Sequence, residues 1–162
     1  TGSVPASSRE SLLFGHEKGA FAGALDRQVG ALRSCDGGTL VLDEIDRLST
    51  DLQDRLIEAI QTNSVRPIGA KHSFKVDVRI ISASNLPLQD LVTTGHFREE
   101  LLKLISRTTI TLPPLRNRNG DISALTRHFL ARIGDQPGLR QLGITDAALK
   151  ILSAFDWPGE VG

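Results

Sequence analysis

Runs of apolar residues along the chain predict alternating strands and helices. Thr39–Leu42 and Val76–Ile81 have the pattern of two strong strands, and their nearly continuous hydrophobicity predicts cover on both faces, as in a parallel sheet. Between them, apolar residues recur at helical spacing over Leu52–Ile60, after Ser49 or Thr50 as a cap. A strand, a helix and a second strand in this order predict a parallel α/β sheet with a right-handed crossover.

The segment before the first strand has a different pattern. Ser8–Phe14 is predicted to be a short helix with Leu12 and Leu13 on its buried side. Residues 16–28 are rich in glycine around a single large apolar side chain, Phe21. Such a composition is typical of a loop, and we expect this loop to protrude.

The segment after the second strand predicts shorter elements. Leu88–Val92 and Arg98–Ile105 are expected to be helical, and the β-branched run Thr108–Leu112 is expected to be a strand that two prolines stop. Ile122–Ile133 and Thr145–Phe155 are expected to be helices. The pattern thus changes from α/β to all-helical, and it predicts two parts, which are an α/β core over residues 1–118 and the beginning of a helical subdomain over residues 119–162.

The composition suits about one globular domain, with 162 residues of which 40% are apolar and 23% are charged. Lys and Arg number 19, as do Asp and Glu, and this zero net charge argues against DNA binding by these residues themselves. Cys35 is the only cysteine and no apolar run could span a bilayer, so we expect a cytoplasmic protein without a membrane partner. The chain contains no Met and opens on Thr1, which predicts a piece of a longer protein.

Polar residues at the ends of the two strands are the candidates for chemistry. Asp43 and Glu44 follow the first strand, at the sheet edge where α/β proteins bind their ligands. One carboxylate could hold Mg²⁺ while the other polarises a water, as in phosphate chemistry. A solvated strand end, or an acid and base pair of an unrelated hydrolase, is the alternative. Asn85 could orient a water or be a turn residue, and Arg98 could reach a phosphate or be a surface arginine.

Other kinds of site find little support. The histidines and Cys35 lack the spacing of zinc ligands. The chain also lacks the nucleophile elbow that a serine or cysteine triad requires.

The order of the motifs resembles the central AAA+ domain of sigma-54-dependent transcriptional activators, the bacterial enhancer-binding proteins. The resembling segments are residues 14–24, 36–45, 76–81, 95–101, 112–116 and 155–159. They extend over nearly the whole chain. The resemblance implies a partial AAA+ P-loop NTPase core with a mostly parallel sheet, followed by the start of a helical lid.

The resemblance assigns roles to the residues at the strand ends. Asp43 and Glu44 match the Walker B motif, which implies that Asp43 serves Mg²⁺ through water and that Glu44 activates the water that hydrolyses ATP. Ser84–Asn85 matches the first sensor of the γ-phosphate. Arg98 matches the first of two arginines that complete the nucleotide site of a neighbouring subunit, as expected in a homo-oligomeric ring of six or seven subunits.

The resemblance also assigns a partner to the glycine-rich loop. It matches the GAFTGA loop, whose apolar tip Phe21 contacts the sigma-54 RNA polymerase holoenzyme when ATP is bound. The residues of this contact loop are Gly19, Ala20, Phe21, Ala22, Gly23 and Ala24. The implied function is to couple ATP binding and hydrolysis to remodelling of that polymerase, with DNA bound only through a domain outside this chain.

Several positions depart from the family pattern. Ala22 stands where the family usually has Thr, Leu104 where it has a second arginine, and Gly162 where it has a sensor arginine. Arg107, three residues after Leu104, is a candidate substitute. No G-x-x-x-x-G-K-[ST] phosphate loop occurs in these residues. Ala22, Leu104 and Gly162 favour an alternative function, which is a degenerate AAA+ regulatory or scaffold module without ATPase activity, whereas the phosphate loop is expected to lie upstream in the longer protein.

Overall fold

The computed structural model describes residues 6–135 and 143–157, and the chain divides into two compact units between Thr109 and Ile110. The helices are α1 Ala6–Phe14, α2 Ala31–Ser34, α3 Thr50–Thr62, α4 Leu88–Thr93, α5 Glu99–Ile105, α6 Asn119–Gly134 and α7 Asp146–Ser153. The strands are β1 Gly15–His16, β2 Gln28–Val29, β3 Thr39–Leu42, β4 Ser64–Val65, β5 Phe74–Lys75 and β6 Arg79–Ser82. The domain boundary predicted at residues 118 and 119 from the change in pattern stays a prediction.

The two strong strands pair as predicted. β3 and β6 are parallel, with Leu40 opposite Ile80 and Leu42 opposite Ser82, and α3 lies between them in the chain. Parallel neighbours need a long crossover connection, which explains why a helix separates these two strands in the sequence. The short pairs β1 with β2 and β4 with β5 are antiparallel, and these pairings were not predicted.

The expectation that both faces of this sheet are covered is wrong for the described part of the chain. Leu40, Leu42 and Ile80 pack against the core, but Val41 and Ile81, which are register partners on the other face, are 62% and 46% exposed. Side chains alternate along a strand, and within the described residues packing elements cover one face only. Hydrophobicity on both faces therefore did not guarantee burial of both.

Two further expectations are corrected. Residues 108–112 form no strand in the described part of the chain, and Ile110 is 83% exposed. β-Branched residues favour an extended backbone, but a strand also needs a neighbour that accepts its hydrogen bonds. In α1, Leu13 is buried whereas Leu12 is 55% exposed. Successive helical residues point about 100° apart, and the inward positions of α1 belong to Ser11, Leu13 and Phe14.

The core of the first unit packs α1, α3 and α5 around large apolar side chains. Its most buried members include Phe14, Ile45, Leu56, Val65 and Leu101. Arg55 of α3 stacks its guanidinium 4.2 Å from the ring centroid of Phe14, forms an ion pair with Glu10 and donates a hydrogen bond to the carbonyl of Arg66. One cation thus connects α3 to α1 and to the segment after β4.

In the second unit, α6 and α7 pack near a short 3₁₀ turn at Leu115–Asn117. Leu115 and Ile122 are buried there. Thr145 caps α7, because its Oγ1 accepts a hydrogen bond from the Ala148 N–H at 3.3 Å. No helix in residues 6–135 and 143–157 combines the length and apolarity that a membrane span needs.

Gly30 lies where two segments of backbone cross, and this crossing predicts the effect of Gly30→Ala. A Cβ there would overlap the backbone of Phe14 and Gly15 and lie 2.6 Å from the Leu13 carbonyl oxygen. We expect the substitution to lower the free energy of unfolding by about 1–3 kcal/mol, measured by urea denaturation. Gly120→Ala is the control, because a Cβ at Gly120 meets open space. Equal stability of the Gly30→Ala variant and the parent would contradict the close packing.

Candidate functional site

The carboxyl ends of β3 and β6 form one edge, at which the backbone of both segments stays connected. The Ala83 N–H donates to the carbonyl of Leu42 at 2.9 Å, and the Ile45 N–H donates to the carbonyl of Ala83 at 3.0 Å. These bonds extend the ladder past the last strand residues. Asp43–Glu44 and Ser84–Asn85 are therefore neighbouring loops at the same edge, as the sequence predicted.

Asp43 and Glu44 differ in their surroundings. Asp43 is exposed, its Oδ1 accepts the Glu44 N–H at 2.9 Å, and among the described residues its Oδ2 accepts no hydrogen bond. Glu44 has a left-handed backbone with φ 51°, and its Oε2 lies 3.1 Å from a guanidinium nitrogen of Arg47. A non-glycine residue in this region carries strain of about 1–3 kcal/mol, and such strain is concentrated at functional sites.

The donor set at this edge suits a magnesium ion that arrives with a phosphate. Mg²⁺ prefers oxygen ligands and is commonly bound by one or two carboxylates together with substrate phosphates and water. Asp43 offers such a carboxylate. No group of three or more His, Cys, Asp or Glu side chains within the described ranges could hold a metal by itself. The residues therefore fit a shared metal site rather than a closed protein cage.

The second loop contributes one hydroxyl and one amide. Ser84 Oγ lies 2.9 Å from Asp46 Oδ1, which connects the loop after β6 to the loop after β3. Asn85 is exposed, and its side-chain amide makes no hydrogen bond to any other described residue. An amide in this position offers both a donor and an acceptor to a ligand.

Arg98 is engaged elsewhere. It precedes α5, and its Nε and one terminal nitrogen each lie 2.8 Å from an Asp54 carboxylate oxygen, which makes a bidentate pair. Hydrogen bonding to Asp54, and then charge attraction to it, raises the pKa of the Arg98 guanidinium. Within the described part of the chain Arg98 forms no hydrogen bond or ion pair with Asp43, Glu44 or Asn85.

The Gly19–Ala24 loop is compact. The Gly19 N–H donates to the Ala24 carbonyl at 2.8 Å and the Ala24 N–H donates to the Phe21 carbonyl at 3.0 Å. Gly19 and Gly23 have φ values of 78° and 102°, which other residues rarely adopt. Phe21 is half-buried, with its ring centroid 4.9 Å from that of His16 in an edge-to-face arrangement. The ring therefore packs on its own chain in this structure.

Residues 1–111 match the family described as a Sigma-54 interaction domain, and residues 116–162 match the family described as an AAA+ ATPase lid domain. The first match extends over more than half of the chain. The chain belongs to the Sigma-54 interaction domain family. The predicted resemblance and the predicted AAA+ fold class are both confirmed.

Two similar proteins are named as regulators. The chain is 42% identical to the Nif-specific regulatory protein of Azotobacter vinelandii over 98% of this chain and 30% of that protein. It is 40% identical to the sigma54-dependent transcriptional regulator SfnR of Pseudomonas fluorescens (strain Pf0-1) over 99% of this chain and 44% of that protein. The chain thus spans less than half the length of these relatives.

The solved structures that it resembles include NtrX from Brucella abortus. That structure has a TM-score of 0.88 and 32% sequence identity, over 98% of this chain and 36% of that one. NtrX has also been solved in complex with ADP and in complex with ATP, with TM-scores of 0.87 and 0.86.

The departures from the family pattern have different surroundings in this sigma-54 interaction domain. Ala22 is exposed on the loop. Leu104 is half-buried on α5 and packs against the core. Arg107 is exposed but lies beyond Ile105, the last residue of α5, so it does not continue the helix that carries Leu104. Gly162 lies outside the described residues.

One residue important to the site was missed by sequence reasoning. Gln53 is fully buried, and its Nε2 donates to the carbonyls of Leu48 and His96 at 2.9 and 3.0 Å. Its Oε1 accepts the Arg98 N–H at 2.8 Å. The signal was present in the sequence, since Gln53 precedes Leu56 by three residues and shares its buried face.

Proposed function

We propose that this chain is the part of an ATP-dependent transcription activator that couples ATP binding and hydrolysis to remodelling of sigma-54 RNA polymerase. Membership of the Sigma-54 interaction domain family supports the polymerase as partner. The observation that supports ATPase activity is the shared edge of the sheet, where backbone hydrogen bonds join Leu42, Ala83 and Ile45. These bonds hold Asp43 and Glu44 beside Asn85, whose side-chain amide has no hydrogen-bond partner among the described residues. Open α/β sheets bind phosphates at such edges.

In this proposal the residues of the edge have separate roles. Asp43 would hold, through water, the Mg²⁺ that accompanies ATP, and this ion would supply positive charge beside the phosphates. Glu44 orients a water and takes its proton through Oε1, the oxygen that the Arg47 contact leaves available. Asn85 donates its amide N–H to a phosphate oxygen or to that water. The phosphate loop that would complete the cradle is not among these residues, so the ATPase activity belongs to the longer protein.

The proposed assembly is a homo-oligomeric ring of six or seven subunits, in which Arg98 reaches the nucleotide of a neighbour. The bidentate contact with Asp54 would then be exchanged for a phosphate contact when subunits meet. An arginine guanidinium suits this exchange because it binds carboxylates and phosphates with the same fork of donors. Binding to DNA is assigned to a part of the longer protein outside this chain, and the protein is proposed to be cytoplasmic.

Phe21 is the proposed sigma-54 contact, and its removal separates the two activities. Phe21→Ala is expected to weaken sigma-54 binding by about thirtyfold, the size of an interface hot spot of about 2 kcal/mol, while ATP turnover stays near the parent value. Binding is measured with the full-length ATP-bound protein and turnover by phosphate release. Leu25→Ala is the control, because Leu25 is exposed beside the same loop. Unchanged sigma-54 binding in Phe21→Ala would contradict the assignment.

A degenerate scaffold module without ATPase activity is the second candidate function. Leu104 favours it, because an apolar side chain packed on the core does not act as an arginine finger. The exposed Ala22 also lacks a hydroxyl that could hydrogen-bond to a partner. The active enzyme is favoured by three residues that match the family motifs and lie at one edge of the sheet, which are Asp43, Glu44 and Asn85. ATP turnover of the longer protein decides between the two.

A further inference from the structure

A buried polar cluster lies at the base of the Phe21 loop. Ser11 from α1, His16 from β1 and Gln28 from β2 meet there, and Ser11 and His16 are 3% and 8% exposed. Ser11 Oγ lies 2.6 Å from His16 Nδ1 and donates to Gln28 Oε1 at 2.9 Å. His16 and Gln28 are also register partners, so the cluster joins the strand that enters the loop to the strand that leaves it.

The hydrogen bonds of the cluster orient the imidazole of His16. A serine hydroxyl has one proton, and that of Ser11 is donated to Gln28. With Ser11 donating to Gln28, the 2.6 Å contact between Ser11 Oγ and His16 Nδ1 is satisfied by the tautomer of His16 that carries its proton on Nδ1. With its Nδ1–H directed at a buried oxygen, the ring has one orientation rather than several.

The oriented ring of His16 is where Phe21 packs. The two ring centroids are 4.9 Å apart and the planes are inclined by 62°, within the range that aromatic pairs prefer. Among the described residues, His16 is the only aromatic side chain against which Phe21 packs. Gly19 and Gly23 flank Phe21 with left-handed backbones, so the tip has the freedom to turn away from the ring.

We propose that His16 is a positioning residue for Phe21, which it holds docked on the chain until sigma-54 takes its place. In the docked state the Phe21 ring packs on His16, and in the bound state it packs on sigma-54. Because one ring cannot do both at once, the two states compete. The docking part of this inference stands on the contacts above, whereas sigma-54 as the competitor rests on the proposed function. The cluster thus sets how often Phe21 is available to its partner.

The equilibrium between docked and undocked Phe21 is large enough in its effect on sigma-54 binding to be measured. An aromatic pair contributes enough to favour the docked state by roughly two- to tenfold. A partner that binds only the undocked state gains the same factor when docking is removed. We therefore expect loss of the His16 ring to tighten binding of the nucleotide-free, full-length protein to sigma-54 by roughly two- to tenfold.

The test places 4-fluorophenylalanine at position 21 of the full-length, nucleotide-free protein and records its ¹⁹F resonance. In the parent, the ring current of His16 displaces the resonance from that of the free amino acid. His16→Gln removes the ring and is expected to move the resonance toward the free value and to narrow it. His16→Phe restores a ring and is expected to restore the displacement, which a general loss of structure would not do. Leu25→Ala is the matched control and should leave the resonance in place.

An unchanged resonance in His16→Gln overturns the docking. If that variant does not fold, as judged by circular dichroism, Phe21→Ala is observed through the Cε1 proton of His16. A displaced proton resonance supports the docking and an unchanged one overturns it. A changed fluorine spectrum with no gain in sigma-54 binding overturns the competition. Because the fluorine measurement contains no sigma-54, failure of the proposed function leaves its result standing.

Discussion

Replacing Glu44, the proposed general base, with Gln is expected to slow ATP turnover by the full-length protein by about 10²–10⁴-fold, the usual contribution of a general base. Gln is nearly isosteric, so it retains the left-handed backbone at φ 51° but cannot take a proton from water. ATP binding should stay near the parent affinity, because the change leaves Asp43 and Asn85 intact. Phosphate release under saturating ATP measures the rate, and a filter or fluorescence assay measures the binding.

Glu58→Gln is the matched control for this experiment. Glu58 is an exposed glutamate on α3, and the same loss of charge there is expected to leave turnover unchanged. If the parent protein turns over ATP no faster than the Glu44→Gln variant, the enzyme is ruled out and the scaffold function takes its place. If Glu44→Gln and Glu58→Gln slow ATP turnover equally, the effect comes from the loss of one negative charge on the protein rather than from a role of Glu44 in catalysis.

Gln53→Leu is expected to lower the free energy of unfolding by about 3 kcal/mol. Leu fills a similar volume, but the carbonyls of Leu48 and His96 and the N–H of Arg98 then lose their partner. These bonds are part-buried, so each backbone group left without a partner is expected to cost about 1 kcal/mol, the low end of the range for buried groups. Urea denaturation followed by circular dichroism measures the loss.

The same α3 helix supplies the control. Gln61 is exposed and donates one hydrogen bond, to Glu100 Oε1 at 2.6 Å, so Gln61→Leu is expected to change stability by no more than about 0.5 kcal/mol. Similar losses from the two substitutions would contradict the role of Gln53. A second consequence of Gln53→Leu is a less ordered start of α5, visible as faster amide exchange at Arg98.

Much of the first unit could be predicted from local patterns in the sequence. The parallel pairing of β3 with β6 follows from two apolar runs separated by an amphipathic helix, and the structure confirms it. Asp43 and Asn85 were expected at one edge for the same reason, because the carboxyl ends of parallel strands meet there. These features depend on periodicity and chain order, which a sequence contains.

Features that depend on contacts between distant residues were missed. The pair of Arg98 with Asp54 and the hydrogen bonds of Gln53 to His96 and Arg98 join positions more than forty residues apart. The strand predicted at 108–112 was wrong for the same reason. The sequence pattern indicates which backbone conformation is preferred, but not which neighbouring strand would accept the hydrogen bonds. The exposed Val41 likewise reflects which surfaces find a packing partner.

The sequence by itself determined the family, the parallel α/β order and the acidic edge, and it predicted a role for the loop that carries Phe21. Only the tertiary structure decided that Arg98 is held by Asp54, that Gln53 supports the turn before α5, and that Phe21 packs on His16 rather than projecting into solvent. The physical reason is that motifs and periodicity are local in the chain. The partner of a side chain is instead decided by which elements the fold brings within a few ångströms, and by which polar groups must be satisfied once water is excluded.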